Sequence, residues 1–398
     1  MRSFSLREPT LASPMQSVRA LSLHRILFRF AFAGVNVYAW IFVFQYFFLI
    51  EPDVAHGLVR TALLYALSQT VTCLVTPFAA GLLLSGARRT LIVATVVAAS
   101  SFIVLGAAFE GFWGGAYIPA ALVVFSCGLG LYRALYWIPY EIEVEATGGG
   151  RRTRFAEFCI ALAPLVGGVF VTAMPFGPIS LLFAGAILIL IAAIPIFYLR
   201  DIQERFAWGY RETFGQLVEP ANRGIVVGAV LEGISGAGLL LFWPLAIFTI
   251  TGWSYETLGL ILSLTFVIAI LGRPLVRRGL RKVNAPNSMP MNVVLAFTPW
   301  VFRMLVGTPL GVIGVDSYFY TTTPRRIGLD PLTFEQAADA GSYVDEYTAL
   351  KEMALTLGRI FICAIGSICA LLFSLPVAFI VIFLFAAVAS TAAVLAPR

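Results

Sequence analysis

Charge is what this chain lacks. Of its 398 residues only 12% are charged, 60% are hydrophobic, and the mean hydropathy is +0.90. A soluble domain carries about a quarter charged residues, so a water-soluble globule is excluded. Lysine is nearly absent, at two of 27 basic residues. The net charge of +6 therefore comes from arginine, and in so apolar a chain it reports orientation, not affinity for nucleic acid. Only two histidines are present, His24 and His56, both at the edges of apolar runs. No Ser/His or Cys/His set can be assembled at membrane depth, so the reading is not an enzyme. The five cysteines (Cys73, Cys127, Cys159, Cys363, Cys369) lie inside apolar runs without metal-ligand spacing. They read as small buried hydrophobes, with no disulfide and no metal. No Gly-rich Lys-Ser/Thr loop occurs, so no nucleotide and no other cofactor is expected.

What is abundant is long apolar sequence. Stretches able to cross about 30 Å of hydrocarbon at about 1.5 Å per residue lie at 26–50, 58–84, 90–109, 114–140, 155–174, 178–199, 223–250, 256–276, 291–306, 308–323, 347–373 and 376–396. The ninth and tenth are divided only by Gly307-Thr308-Pro309. This pattern predicts an all-α polytopic membrane protein with twelve transmembrane helices in two pseudo-symmetric six-helix bundles. The tail at 1–25 holds Arg2, Arg7, Arg19 and Arg25 without a cleavage pattern, so it reads as a cytoplasmic tail and not a removable signal. Basic residues recur on that side at Arg88-Arg89, Arg151-Arg152, Arg200, Arg277-Arg278 and Arg325-Arg326. Both termini are then cytoplasmic, in a plasma membrane of the bacterial inner-membrane kind.

The two halves span 26–199 and 223–396. The linker at 200–222 places Ile202, Phe206, Tyr210 and Phe214 at helical spacing, which predicts an amphipathic helix on the membrane surface. An insert at 324–345, with Asp330-Pro331 at its start and Gly341 near its end, predicts a short cytoplasmic helix. Gly148-Gly149-Gly150 follows Glu141, Glu143 and Glu145, a run that reads as a solvated helix exit balanced by Arg151, Arg152 and Arg154.

Over nearly its full length the chain resembles the major facilitator superfamily. The family's loop motif between spans two and three is echoed by Gly81, Gly86, Arg88 and Arg89, with no aspartate present. Its repeat copy follows span eight in Gly272, Arg277, Gly279 and Arg281, with Val276 where the acid would stand. In span five, Ala163-Pro164-Leu165-Val166-Gly167-Gly168 is similar to a motif of the drug antiporter branches. The resemblance implies gating roles for the loop residues Gly81, Arg88, Arg89, Gly272, Arg277 and Gly279, and a kinked, closely packed helix at Pro164, Gly167 and Gly168.

The fold so implied lines its cavity with spans one, four, seven and ten. A buried polar group falls on each: Asn36, Arg133, Glu232 and Asp316. A charge at the bilayer centre costs about 2.5–3.5 kcal/mol on insertion scales, so each needs a partner or a watery cavity. Depth counted along the helices pairs Arg133 with Glu232. Arg303, on span nine, lies at the depth of Asp316, and that pair reads as structural. Tyr136, one turn from Arg133, and Tyr320, one turn from Asp316, complete the substrate- or proton-binding candidates. These features predict a monomeric secondary transporter in the lipid bilayer, moving a small organic solute by alternating access. Proton-coupled export is the favoured form. The alternatives are an organic-anion importer or uniporter, or a membrane assembly factor on the same fold.

Overall fold

The computed structural model describes residues 14–147, 154–282, 288–322 and 344–395. Every regular element among them is a helix. In order these are α1 (Pro14–Ile50), α2 (Val54–Gly81), α3 (Ala87–Phe109), α4 (Ile118–Ala146), α5 (Arg154–Ala173), α6 (Gly177–Ala193), α7 (Tyr210–Gln216), α8 (Arg223–Ala237), α9 (Trp243–Ile250), α10 (Tyr255–Lys282), α11 (Met289–Leu305), α12 (Pro309–Thr322), α13 (Val344–Leu372) and α14 (Leu375–Leu395). Among the described residues ten helical stretches are long and apolar enough to cross a membrane, α8 and α9 together forming one of them. α11 and α12 are shorter, at 17 and 14 residues. They part at residues 306–308, where Pro309 cannot continue the helix before it.

Polar side chains inside these helices are largely satisfied locally. Thr61, Thr76, Thr95 and Ser126 each donate to the carbonyl four residues earlier. Apolar side chains such as Phe78, Ile187, Leu271, Ile368 and Val388 are exposed instead. That inversion belongs to a molecule whose solvent is lipid. The first six helices pack on one another, α8 to α14 pack on one another, and the two sets meet chiefly along α2 with α13 and α5 with α10.

Three sequence expectations are corrected. The amphipathic helix of 200–222 is present only as α7, because residues 201–207 are non-helical. The strap instead ties its backbone to its neighbours: Ala87 N donates to the Ile202 carbonyl (2.7 Å), and Ala207 N donates to Glu346 Oε1 of α13 (3.0 Å). Ile202 and Phe206 pack among Ala80, Leu83, Ala87, Ile138, Ile142 and Ala349, between helices and not on a membrane surface. Secondly, the repeat copy at Gly272, Arg277 and Gly279 is no loop. α10 runs through all three to Lys282, its last turn carrying Arg281 and Lys282, where cations suit the helix dipole. Thirdly, α4 continues past Pro139 to Ala146, and Glu141 and Glu143 are buried, 7% and 1% exposed; only Glu145 faces out as expected. The glycine run 148–150, Arg151, Arg152 and nearly all of the insert at 324–345 lie outside the described residues.

Candidate functional site

The centre of the molecule holds a polar cluster drawn from three helices. On α2, Ser68 Oγ donates to the Tyr65 carbonyl (2.7 Å), so toward Gln69 it can only accept. Gln69 Nε2 fills that role at 2.9 Å, which turns Gln69 Oε1 the other way. α4 approaches α2 at Gly130, where a Cβ would collide with the Ser68 carbonyl oxygen. Arg133, one turn further along α4, thereby reaches Gln69, and its Nη1 donates to Gln69 Oε1 at 2.7 Å.

α13 brings the remaining members. Glu352 and Arg359 stand seven residues apart, two turns, and so share a face. Arg359 Nη1 donates to the same Gln69 Oε1 at 3.1 Å. Glu352 Oε1 lies 3.9 Å from Arg133 Nε and 3.6 Å from Arg359 Nη1. Gln69 and Arg359 are fully buried, Glu352 is 1% and Arg133 6% exposed. Two guanidiniums, one from each set of helices, thus converge on one neutral oxygen, with a carboxylate alongside.

Glu232 enters at this level from α8. A Cβ on its neighbour Gly233 would collide with the Leu355 carbonyl oxygen, and one on Gly358 with that of Val230, so α8 and α13 touch backbone to backbone beside Glu352 and Arg359. Glu232 itself is half-buried. Arg133 contacts Gln69 and Glu352.

A second buried charge site lies wholly within the later helices. Arg303 of α11 donates through Nε (3.1 Å) and Nη2 (2.7 Å) to Asp316 Oδ1, and Trp243 Nε1 donates to Asp316 Oδ2 at 2.8 Å. The guanidinium is walled by the rings of Phe319, Trp300 and Trp243, at 4.5, 4.6 and 5.4 Å from their centroids. Trp243 follows a π-helical turn, Gly238–Phe242, a local widening that often marks functional positions. Tyr320, one turn past Asp316, packs edge-on against Phe266 and Phe319.

Tyr136, one turn from Arg133, points toward α1. His24 Nδ1 contacts the Ala192 carbonyl (2.7 Å) and can only donate there, so His24 Nε2 accepts from the Tyr136 hydroxyl at 2.9 Å. His24 is fully buried. Asn36 is buried on α1, 7% exposed.

At the linker end of the bundle, Gly86 adopts φ 116°, and a Cβ there would collide with the Asp201 carboxylate. Arg88 Nη2 and Arg89 Nε each stand 3.5 Å from Asp201 Oδ2, and Arg88 Nη1 donates to the Leu199 carbonyl at 3.2 Å. An acid from beyond α6 thus stands against both arginines of the loop. Glu143 lies within electrostatic reach of both Asp201 and Arg88. Gly81 and Gly279 have open space where a side chain would go, and Gly272 meets only Thr321 at ordinary contact distance.

At Pro164 the two sets of helices touch. The Tyr38 hydroxyl donates to the Pro164 carbonyl (2.7 Å), and Leu165 N donates to Ser263 Oγ of α10 (2.9 Å). A Cβ on Gly259 would collide with the Pro164 carbonyl oxygen, and Gly168 lies against the Tyr255 carbonyl in the same way. Gly167 is seated on Gly34 and the Tyr38 ring.

The structure thus divides the expected site residues among several places. Arg133 stands in the central cluster with Glu232 at its level. Asp316 and Arg303 form the second site, Tyr320 packs on its wall residue Phe319, and Tyr136 belongs with His24. Gln69, Glu352 and Arg359 were not anticipated as site residues; the signals available were one amide in an apolar run and an acid and base seven residues apart. No group of three or more His, Cys, Asp or Glu able to hold a metal occurs among the described residues.

These features define a polytopic helical membrane protein with buried charge where its two sets of helices meet. No family model matches the chain, and no curated protein sequence matches it. Solved structures do match. One is a bacterial homologue of the iron transporter ferroportin in an outward-facing state, at 13% identity and a TM-score of 0.57, covering 95% of this chain and 98% of that one. Another comes from the proton-dependent oligopeptide transporters, at 12% identity and a TM-score of 0.58, covering 96% of this chain and 97% of that one. At such identity the likeness is one of fold, and the chain has the fold of the major facilitator superfamily.

Proposed function

We propose that the chain is a secondary active transporter that moves a small organic solute across the membrane by alternating access. In this reading α1–α6 and α8–α14 are two six-span halves, residues 26–199 and 223–396, joined by the linker at 200–222. The observation that carries it is the central cluster: Gln69 and Arg133 belong to one half, Glu352 and Arg359 to the other, and Gln69 Oε1 accepts from both arginines. Buried charge is costly in a bilayer and marks function by default. Placed between two halves of this fold, it sits where rocking motions bind and release solutes. Sharing its fold with a homologue of an iron transporter and with an oligopeptide transporter supports the reading without choosing a substrate.

The finer assignments follow the same frame. The chain acts as a monomer in a bacterial inner membrane with both termini cytoplasmic. The linker face, with Gly86, Arg88, Arg89 and Asp201, then closes the cytoplasmic side. Asn36, Tyr136 and Tyr320 line the route, Asp316 and Arg303 brace it, and Glu232, half-buried beside the cluster, carries the proton of a coupled export cycle. Flux in proteoliposomes tests the proposal. Solute should move when a proton or solute gradient is imposed, Arg133→Gln should abolish movement, and Glu232→Gln should leave it independent of pH. Absence of flux under every gradient would leave an assembly role on the transporter fold as the better account.

A further inference from the structure

Arg133 and Arg359 both aim a donor at one carboxamide oxygen, at 2.7 and 3.1 Å. That oxygen is neutral. The Glu352 carboxylate, the charged acceptor in the cluster, stands off at 3.9 and 3.6 Å. Hydrogen bonds from guanidinium to an ionised oxygen run to about 2.7–2.9 Å and are roughly twice as strong as those between neutral groups. Glu352 therefore offsets charge from a distance while Gln69 occupies the point where the two forks meet. Arginine supplies five donors in a planar fork suited to carboxylate and phosphate, so two forks on one point are a built receptor for an oxyanion.

Resting on the transporter reading, we propose that this point is the recognition site for an anionic substrate oxygen, carboxylate or phosphate, and that Gln69 Oε1 stands in for it when the site is empty. The orientation of Gln69 is imposed by Ser68, whose proton is committed to the Tyr65 carbonyl, so the amide oxygen is held on the arginines and not toward its neighbour. Gln69 is a positioning residue, and Arg133 and Arg359 are the binding pair. Because the pair is split between α4 and α13, the oxyanion is bound by both forks only while the two sets of helices are together there. Substrate affinity then differs between conformations, which is the requirement for a ligand to shift their populations.

The experiment uses the full-length protein in detergent, followed by thermal unfolding at matched ionic strength with acetate, succinate or inorganic phosphate, and with choline chloride and glucose as cationic and neutral probes. At least one oxyanion should raise the midpoint by a few degrees through binding to the native state, and comparison of succinate with phosphate separates the two sources. Arg133→Gln and Arg359→Gln should each lose the response. Gln69→Glu places a carboxylate at the meeting point, so its midpoint should rise without ligand and cease to respond to anions. The proposal is overturned if no oxyanion shifts the midpoint, if the response survives in Arg359→Gln, or if Gln69→Glu still responds. Proteoliposome flux of the same probes separates this inference from the transporter reading. Choline or glucose flux without oxyanion binding overturns the site alone, whereas oxyanion binding without flux supports the site and overturns transport.

Discussion

Two buried arginine sites in one membrane protein solve the same problem in opposite ways. Arg303 is held by Asp316 with two donors on one oxygen at 3.1 and 2.7 Å, walled by three rings, all within the later helices. Arg133 shares a neutral oxygen with a second arginine, keeps its carboxylate 3.9 Å away, and draws its partners from α2 and α13. The first arrangement is local, its carboxylate directly bonded to the guanidinium. The second is loose and divided, so a ligand or a movement of helices can rearrange it at small cost. Buried charge alone therefore does not separate brace from site, but donor geometry and the ownership of the partners do.

The comparison is open to attack from both ends. The largest effect should come from Asp316→Leu, which strands a buried guanidinium and should cost about 3–5 kcal/mol, the steepest fall in unfolding midpoint among the variants. The pair Arg303→Leu with Asp316→Leu should recover most of that loss; a double variant no better than the single would remove the structural reading of this pair. Next, Arg133→Gln and Arg359→Gln should each cut flux at least tenfold, while each lowers stability by only about 1–2 kcal/mol. A stability loss equal to that of Asp316→Leu would erase the distinction.

Gly86→Ala tests a third kind of contact, backbone against carboxylate. At φ 116° with Asp201 in place of a Cβ, it should cost about 1–3 kcal/mol, part of it recovered when Asp201→Ala is added, as unfolding of the two variants would show. The smallest effect should be that of Ser68→Ala. Of the two hydrogen bonds lost, that to the Tyr65 carbonyl is a local back-bond within the helix and contributes little, and that from Gln69 Nε2 costs about 0.5–1.5 kcal/mol, yet flux should fall severalfold because the Gln69 amide is no longer held in one orientation.

Much of the architecture was legible because apolar runs and their turns are written along the chain. The division between α11 and α12 at Gly307-Thr308-Pro309 is an example. Arg133 announced itself as a charge in an apolar helix. Its partners did not, because depth along a helix can be counted from sequence but direction around the bundle cannot. Glu232 matched Arg133 in depth, while Gln69 and Glu352, on α2 and α13, are the groups found in contact with it. The linker misled for a related reason. Ile202 and Phe206 have helical spacing, but a non-helical strap whose backbone is bonded to its neighbours can pack the same two residues against the helices. Asp201 could not be recognised as a partner of Arg88 and Arg89, since it lies more than a hundred residues beyond them in the chain.

The contact at Pro164 limits how the protein can move. A side chain of α1 and one of α10 each hold a backbone group of α5, and Gly168 and Gly259 bring the two main chains against each other. Translation of α5 along α10 by even one residue would break the Leu165–Ser263 bond and drive Cβ atoms into the opposing carbonyls. Rotation about the point of contact disturbs neither. The kinematics are those of a ball joint with its slide locked, so displacement at either face is set by lever arm, and helix ends far from Pro164 travel furthest.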